Sequence, residues 1–258
     1  MTSILIDGPA GPVEAHVRGD GHPVVLLPSL GRGATDFDDL AGRLAAAGYR
    51  AICPEPRGIG GNTSPIDSMT MDDLAADVAA TIEALADGPV TLVGHAFGNR
   101  VARLVATRRP ELVESVVLLA CGGLVPAGPE ATAALLAVFD VELDDEDHLD
   151  AVRTAFFAPG NDPSVWFDGW HGIVAAVQSK ANIEMDVDEW WMAGEADVLV
   201  VQPEQDVMAV PENAARIAEQ YGDRATVLSL SNAGHAVLPE QPEEVAKLVL
   251  NWLDLRLP

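Results

Sequence analysis

Residues 94–98 read Gly94-His95-Ala96-Phe97-Gly98, between an apolar run, "TLV", and a helix-like run, "NRVARLV". The pattern is G-x-A-x-G. A hydroxyl on its central residue would make it G-x-S-x-G, which holds a serine on a sharp strand-to-helix turn for attack on an acyl carbon. Ala96 lacks that oxygen. Two further stretches carry groups that such chemistry needs. "VLVVQPEQDVMAVP" (198–211) places Glu204 and Asp206 in a loop after an apolar run. "SNAGHAVLPEQPEEV" (231–245) places His235 after another. An imidazole, with an unperturbed pKa of ~6.5, takes up and returns a proton near neutral pH. A carboxylate at its far nitrogen fixes the tautomer and stabilises the imidazolium.

The elements that must position these residues follow from hydrophobic spacing. "ILI" and "VEAHV" open the chain as strands, and "HPVVLLP" (22–28) is a short apolar run of the kind buried on both faces. "YRAIC", "GPVTLV" (88–93), "SVVLLA" (115–120), "DVLVVQ" (197–202) and "ATVLSL" (225–230) read as further strands. Helical spacing separates them. It places Phe37, Leu40, Ala41 and Leu44 on one face of 36–47, and Leu74, Val78, Ile82 and Leu85 on one face after an N-cap at Thr70 with Asp73 three residues on. Helices are also expected over 97–107, from Pro211 to Tyr221, and from Pro242, where Val245, Leu248, Val249 and Trp252 form a stripe. Strand–helix alternation predicts an α/β fold, a mostly parallel central sheet flanked by helices. The alternation breaks over 124–195, which is helical, acidic and rich in aromatics. That segment is expected to be an inserted helical cap on a core formed by 1–123 and 196–258.

Composition bounds the partners. The 258 residues are 48% hydrophobic and carry a formal charge of −25, which argues against nucleic acid and anionic membranes as partners. No apolar run approaches the ~20 residues of a membrane span, and the N-terminus shows no signal-peptide pattern. Cys53 and Cys121 end strand-like runs and are expected to be free, which points to the cytoplasm. No His/Cys/Asp cluster has metal-ligand spacing, and no phosphate or dinucleotide loop is present. The sequence therefore calls for no metal and no cofactor. It leaves self-association into a homo-oligomer open.

Together, the elbow-like stretch, the acid loop and the histidine loop resemble the α/β-hydrolase fold family, in its serine esterase and lactonase branch. The resemblance covers nearly the whole chain, the 124–195 segment excepted. It implies that Ala96 occupies the nucleophile position, that Asp206 rather than Glu204 is the acid, and that His235 is the base. It implies an oxyanion hole made of the backbone N–H groups of Phe97 and Leu30, with Ser29 the next candidate; "PSLGRG" stands where the family shows His-Gly. Ser29, Trp166, Trp170, His171, Trp191 and Val207 are the expected substrate-binding residues. Arg32 is expected to be a solvent-exposed loop arginine. His95 is expected to be structural; His16, His22 and His148 read as surface or structural.

Alanine at the elbow admits three explanations: a serine hydrolase whose serine has been replaced, a natural relative that binds a ligand without turnover, or slow chemistry by water activated by His235. Both elbow glycines, Asp206 and His235 remain, which favours the first. Within the family, Tyr49 and Tyr221 lie outside the cap, unlike the cap tyrosines of epoxide hydrolases. Phe97 stands where haloalkane dehalogenases carry Trp, and the His-Ser-His of cofactor-free dioxygenases is missing. The expected substrate is a small-molecule carboxylic ester or lactone, fairly bulky and uncharged, apolar or aromatic; thioesters and carbon–carbon bonds use the same triad.

Overall fold

The computed structural model describes residues 2–256. Eight strands form one sheet: β1 (Thr2–Asp7), β2 (Pro12–Arg18), β3 (His22–Leu27), β4 (Tyr49–Pro54), β5 (Val90–His95), β6 (Val113–Leu119), β7 (Asp197–Pro203) and β8 (Ala225–Leu230). Their order across the sheet is β1-β2-β4-β3-β5-β6-β7-β8. β1–β2 and β2–β4 pair antiparallel; the remaining pairs are parallel. From β3 the chain moves outward to β4 on one side, and from β5 to β6 on the other. The carboxyl ends of β3 and β5 therefore flank a topological switch point, where open α/β sheets place their ligands.

The helices are α1 (Asp38–Ala46), α2 (Met71–Leu85), α3 (Phe97–Arg108), α4 (Pro129–Val138), α5 (Asp145–Phe156), α6 (Gly172–Glu184), α7 (Glu212–Tyr221), α8 (Val237–Glu240) and α9 (Pro242–Asp254). Alternate strand residues separate two cores, as the period of two demands. Val25, Leu27 and Leu92 pack with Leu74, Val78 and Ile82 of α2, Val101 and Leu104 of α3, and Ile217 of α7. Val24, Leu26 and Val93 pack on the opposite face with Leu40 and Leu44 of α1 and Val245, Val249 and Trp252 of α9. The expected cap at Thr70 forms: Thr70 Oγ1 accepts from Asp73 N at 3.2 Å, and the Asp73 carboxylate accepts from Thr70 N at 2.9 Å. The helix expected over 36–47 begins instead as a 3-10 turn, Ala34–Phe37, and becomes α-helical only at Asp38.

Between β6 and β7 the chain leaves the sheet through α4, α5 and α6. Val138, Val152, Ala155, Phe156, Phe157 and Trp166 form a small core of their own that also takes in Ala236, beside His235. No helix among the described residues is long and apolar enough to cross a membrane. Cys53 and Cys121 are both free and buried.

Candidate active site

The turn at Ala96 joins β5 to α3 with almost no space. A Cβ on Gly94 would meet the carbonyl carbon and oxygen of Gly98 at 2.5 Å, and one on Gly98 would fall well inside contact with the Leu27 carbonyl. Both neighbours are backbone, which cannot swing aside as a side chain would. Ala96 itself has φ 50° and ψ −105°, a conformation L-residues avoid. It is held by Ala96 N donating to Leu119 O at 3.0 Å and by Asn99 Nδ2 donating to Leu119 O at 2.8 Å. The strain aims the side chain of residue 96 into the cavity, where Ala96 forms part of the wall.

His235 and Asp206 meet across two loops. Nδ1 of His235 lies 3.1 and 3.0 Å from the two carboxylate oxygens of Asp206. Asp206 Oδ1 also accepts from Met208 N at 2.8 Å and Ala209 N at 2.7 Å. Burial pushes the Asp206 carboxyl up, but His235 and these two N–H donors outweigh it, and the pKa falls below the usual carboxylate value. With Nδ1 committed to the acid, Nε2 is the nitrogen left to face the cavity, whose wall includes His235. The histidine loop is clamped by Glu240, which accepts from Gly234 N at 2.7 Å, Ala158 N at 2.7 Å and Asn161 Nδ2 at 2.6 Å. His95 is fully buried, with Nε2 2.8 Å from His235 O. Burial first, and then the neighbouring His235, push its pKa down to about 3. The ring is therefore neutral, and Nε2–H donates to that carbonyl.

The N–H groups of Phe97 and Leu30 have no acceptor among the described residues, and both residues line the cavity beside Ala96. Phe97 N opens α3, where the helix dipole adds partial positive charge. The Leu30 loop is pinned from above. Gly31 N donates to Gln178 Oε1 of α6 at 2.8 Å, and His171 N donates to Gly31 O at 2.9 Å. Gly31 has φ 63°, so a side chain here would be strained as well as blocked by Ala175.

The cavity measures about 230 Å³. Of the residues expected from the sequence, Ser29, Leu30, Ala96, Phe97, Trp170 and His235 line it. Asp206 stands behind His235. Four expectations need correction. Trp166 sits one layer back, edge-on to His95 at 5.8 Å and to Trp170 at 5.7 Å. Trp191 is buried among core residues under Gly123, with the Arg103 guanidinium 4.8 Å from its ring centre and its Nε1 donating to Gln220 at 2.6 Å. The His171 side chain is exposed, and only its backbone serves the Leu30 loop. Val207 is 45% exposed, because the turn that wraps Asp206 points Met208 and Ala209 inward instead. Arg32 is likewise not a solvent-exposed arginine. It is 4% exposed, bonded to Asp36 at 2.7 and 2.9 Å and to Asp168 O at 2.6 Å, and lies over the rings of Trp166 and Trp170.

Phe156, one of the aromatics of the 124–195 segment, also lines the cavity; Arg100, Leu135, Ser179, Asn182, Ile183 and Met208 complete much of the wall and were not legible in the sequence. Of these, only Arg100 carried a positional signal that could have found it, its place one turn into α3 from the elbow.

The profile of the alpha/beta hydrolase family matches residues 24–248. A non-heme chloroperoxidase from Streptomyces lividans is 33% identical over 178 residues, 68% of this chain and 61% of that protein. A 2-(acetamidomethylene)succinate hydrolase from Mesorhizobium japonicum is 24% identical over 92% of this chain and 90% of its own. The match spans 61% of the length of that chloroperoxidase and only 40% of a putative carbamate hydrolase from Variovorax paradoxus and of a putative non-heme bromoperoxidase from Mycobacterium tuberculosis. Among solved structures, an esterase from Exiguobacterium antarcticum superposes with a TM-score of 0.82 at 18% identity, covering 98% of this chain and 100% of the esterase. Sheet order, elbow and profile agree: this chain belongs to the alpha/beta hydrolase family.

Proposed function

We propose that this site is built for hydrolysis of a small carboxylic ester or lactone through a Ser-His-Asp triad, and that Ala96 stands in place of the attacking serine. The observation that carries the reading is the strained turn at Ala96, kept although alanine has no use for it, beside a buried imidazole already held by its carboxylate. Strain of this kind costs roughly 1–3 kcal/mol. With a serine at 96, His235 Nε2 takes the hydroxyl proton as Oγ attacks the acyl carbon. Phe97 N and Leu30 N receive the oxyanion. His235 then returns the proton to the departing alkoxide, and water releases the acid by the same route.

With alanine, no acyl-enzyme forms. The chain as it stands binds its substrate and does not turn it over by this route. In this reading 124–195 acts as the cap: α6 sets the Leu30 loop through Gln178, while Leu135, Phe156, Trp170 and Ile183 give the acyl group apolar walls. The test is Ala96→Ser. Hydrolysis of p-nitrophenyl acetate well above that of the Ala96 protein is expected. A folded variant with no gain over the parent contradicts the reading and leaves ligand binding without catalysis.

A further inference from the structure

The chain has 40 Asp and Glu against 15 Lys and Arg, yet among the described residues no carboxylate lines the cavity. A single cation does. Arg100 is half-buried, lies in the cavity wall, and makes no hydrogen bond or ion pair among the described residues. Every other arginine reaches a carboxylate or a carbonyl. Arg57 holds Asp77 at 2.6 Å, Arg108 holds Asp72 at 2.9 Å, and Arg109 holds Glu111 at 2.7 Å. Arg103, one turn further along α3, is fully buried but donates to Asn99 O and Gly122 O. The Arg100 guanidinium lies 5.7 Å from the centre of the Trp190 ring, but in so acidic a chain an arginine with no hydrogen-bonded acceptor does not reflect a shortage of acids.

Burial and the nearby Arg103 push the Arg100 pKa down to about 10, so it keeps its charge at neutral pH. The Asn182 amide lines the same cavity. Its Oδ1 is buried without a partner, and its Nδ2 also has none among the described residues. Rotation of the amide exchanges the two ends at little steric cost, so this group can donate into the cavity. Two polar side chains without a hydrogen-bond partner among the described residues therefore share one wall with Ala96 and His235.

We propose that the ligand of this cavity is an acyl ester bearing a second, free carboxylate, which Arg100 and Asn182 receive while the ester carbonyl lies at Ala96. A guanidinium suits a carboxylate because its fork can donate two parallel hydrogen bonds. The spacing limits the acyl group. Four residues of helix separate positions 96 and 100, about 6 Å of rise. A half-ester of a short dicarboxylic acid, of glutaryl length, spans that distance; a long fatty acyl chain does not need it. The apolar walls hold the methylenes between the two ends.

The choice of substrate rests on the ester-hydrolase reading, but its test does not require turnover. Binding of monoethyl glutarate and diethyl glutarate to the Ala96 protein is measured by calorimetry. The half-ester is expected to bind at least about tenfold tighter. Arg100→Met should abolish that preference without lowering the melting temperature, and Arg100→Lys should keep part of it. Equal or tighter binding of the diester, no binding of the half-ester, or a preference that survives Arg100→Met overturns the proposal. The hydrolase reading is judged separately with p-nitrophenyl acetate, which carries no carboxylate. Turnover of that ester by Ala96→Ser, with no carboxylate preference, sinks only the choice of substrate. A carboxylate preference without turnover sinks only the catalytic reading.

Discussion

Asp206 presents both carboxylate oxygens to Nδ1 of His235, at 3.1 and 3.0 Å, and steadies one of them with two backbone N–H groups. The imidazole is thereby fixed in one tautomer before any substrate arrives.

Removing that charge while keeping the shape should therefore disable catalysis more than binding. In the Ala96→Ser background, Asp206→Asn is expected to lower kcat by about 10⁴ with little change in KM, because the amide stabilises the wrong tautomer and no imidazolium. Steady-state kinetics on p-nitrophenyl acetate checks this. A loss confined to KM would argue that Asp206 positions substrate instead.

His95 should make the fold acid-sensitive. Its pKa is about 3 in the folded chain and ~6.5 when unfolded. Between those values the unfolded chain holds one proton that the folded chain does not, so stability rises with pH. It is fully present above pH ~6.5 and is lost on acidification toward pH 3, at up to about 1.4 kcal/mol per pH unit. Denaturation midpoints from pH 6.5 to 4.5 should fall less steeply in His95→Asn, which can still donate to His235 O. Parallel slopes would show that the acid sensitivity lies elsewhere.

The elbow glycines should be irreplaceable for steric reasons. Gly98→Ala drives a Cβ into the Leu27 carbonyl and is expected to cost about 3 kcal/mol or more. Gly88→Ala has nothing within 4 Å and should stay within about 0.5 kcal/mol of the parent. Urea titrations of the two variants give the comparison.

How much of this was legible in the sequence depends on how local each cause is. The elbow, Asp206 and His235 follow strand ends, so apolar runs place them in loops, and the resemblance to the family's chain order marks them as site residues. The strands were readable because central parallel strands are apolar on both faces, as in "HPVVLLP". Arg32 was misread because the groups that cover it beyond Asp36, namely Asp168, Trp166 and Trp170, come from a segment more than a hundred residues away. Trp191 looked like a pocket residue because aromatic content cannot separate a cavity wall from a core packed on Arg103. Gln178 gave no signal at all, since a buried glutamine is recognised only by the backbone N–H it meets.

That missed residue supports a further test. Gln178→Ala leaves Gly31 N buried without an acceptor, which costs about 1–3 kcal/mol of stability, and frees the Leu30 loop. In the Ala96→Ser background kcat should drop, by less than the roughly 10²–10³ that loss of an oxyanion donor costs. An unchanged kcat alongside lower stability would place Gln178 in the scaffold only.

The central claim is that position 96 is a nucleophile site that lacks only its oxygen. The most direct measurement is intact-protein mass spectrometry after exposure of Ala96→Ser to a fluorophosphonate. The account predicts one adduct per chain, located on residue 96, absent from the Ala96 protein and strongly slowed by His235→Ala. A folded Ala96→Ser protein that remains unlabelled, or is labelled at another residue, contradicts it.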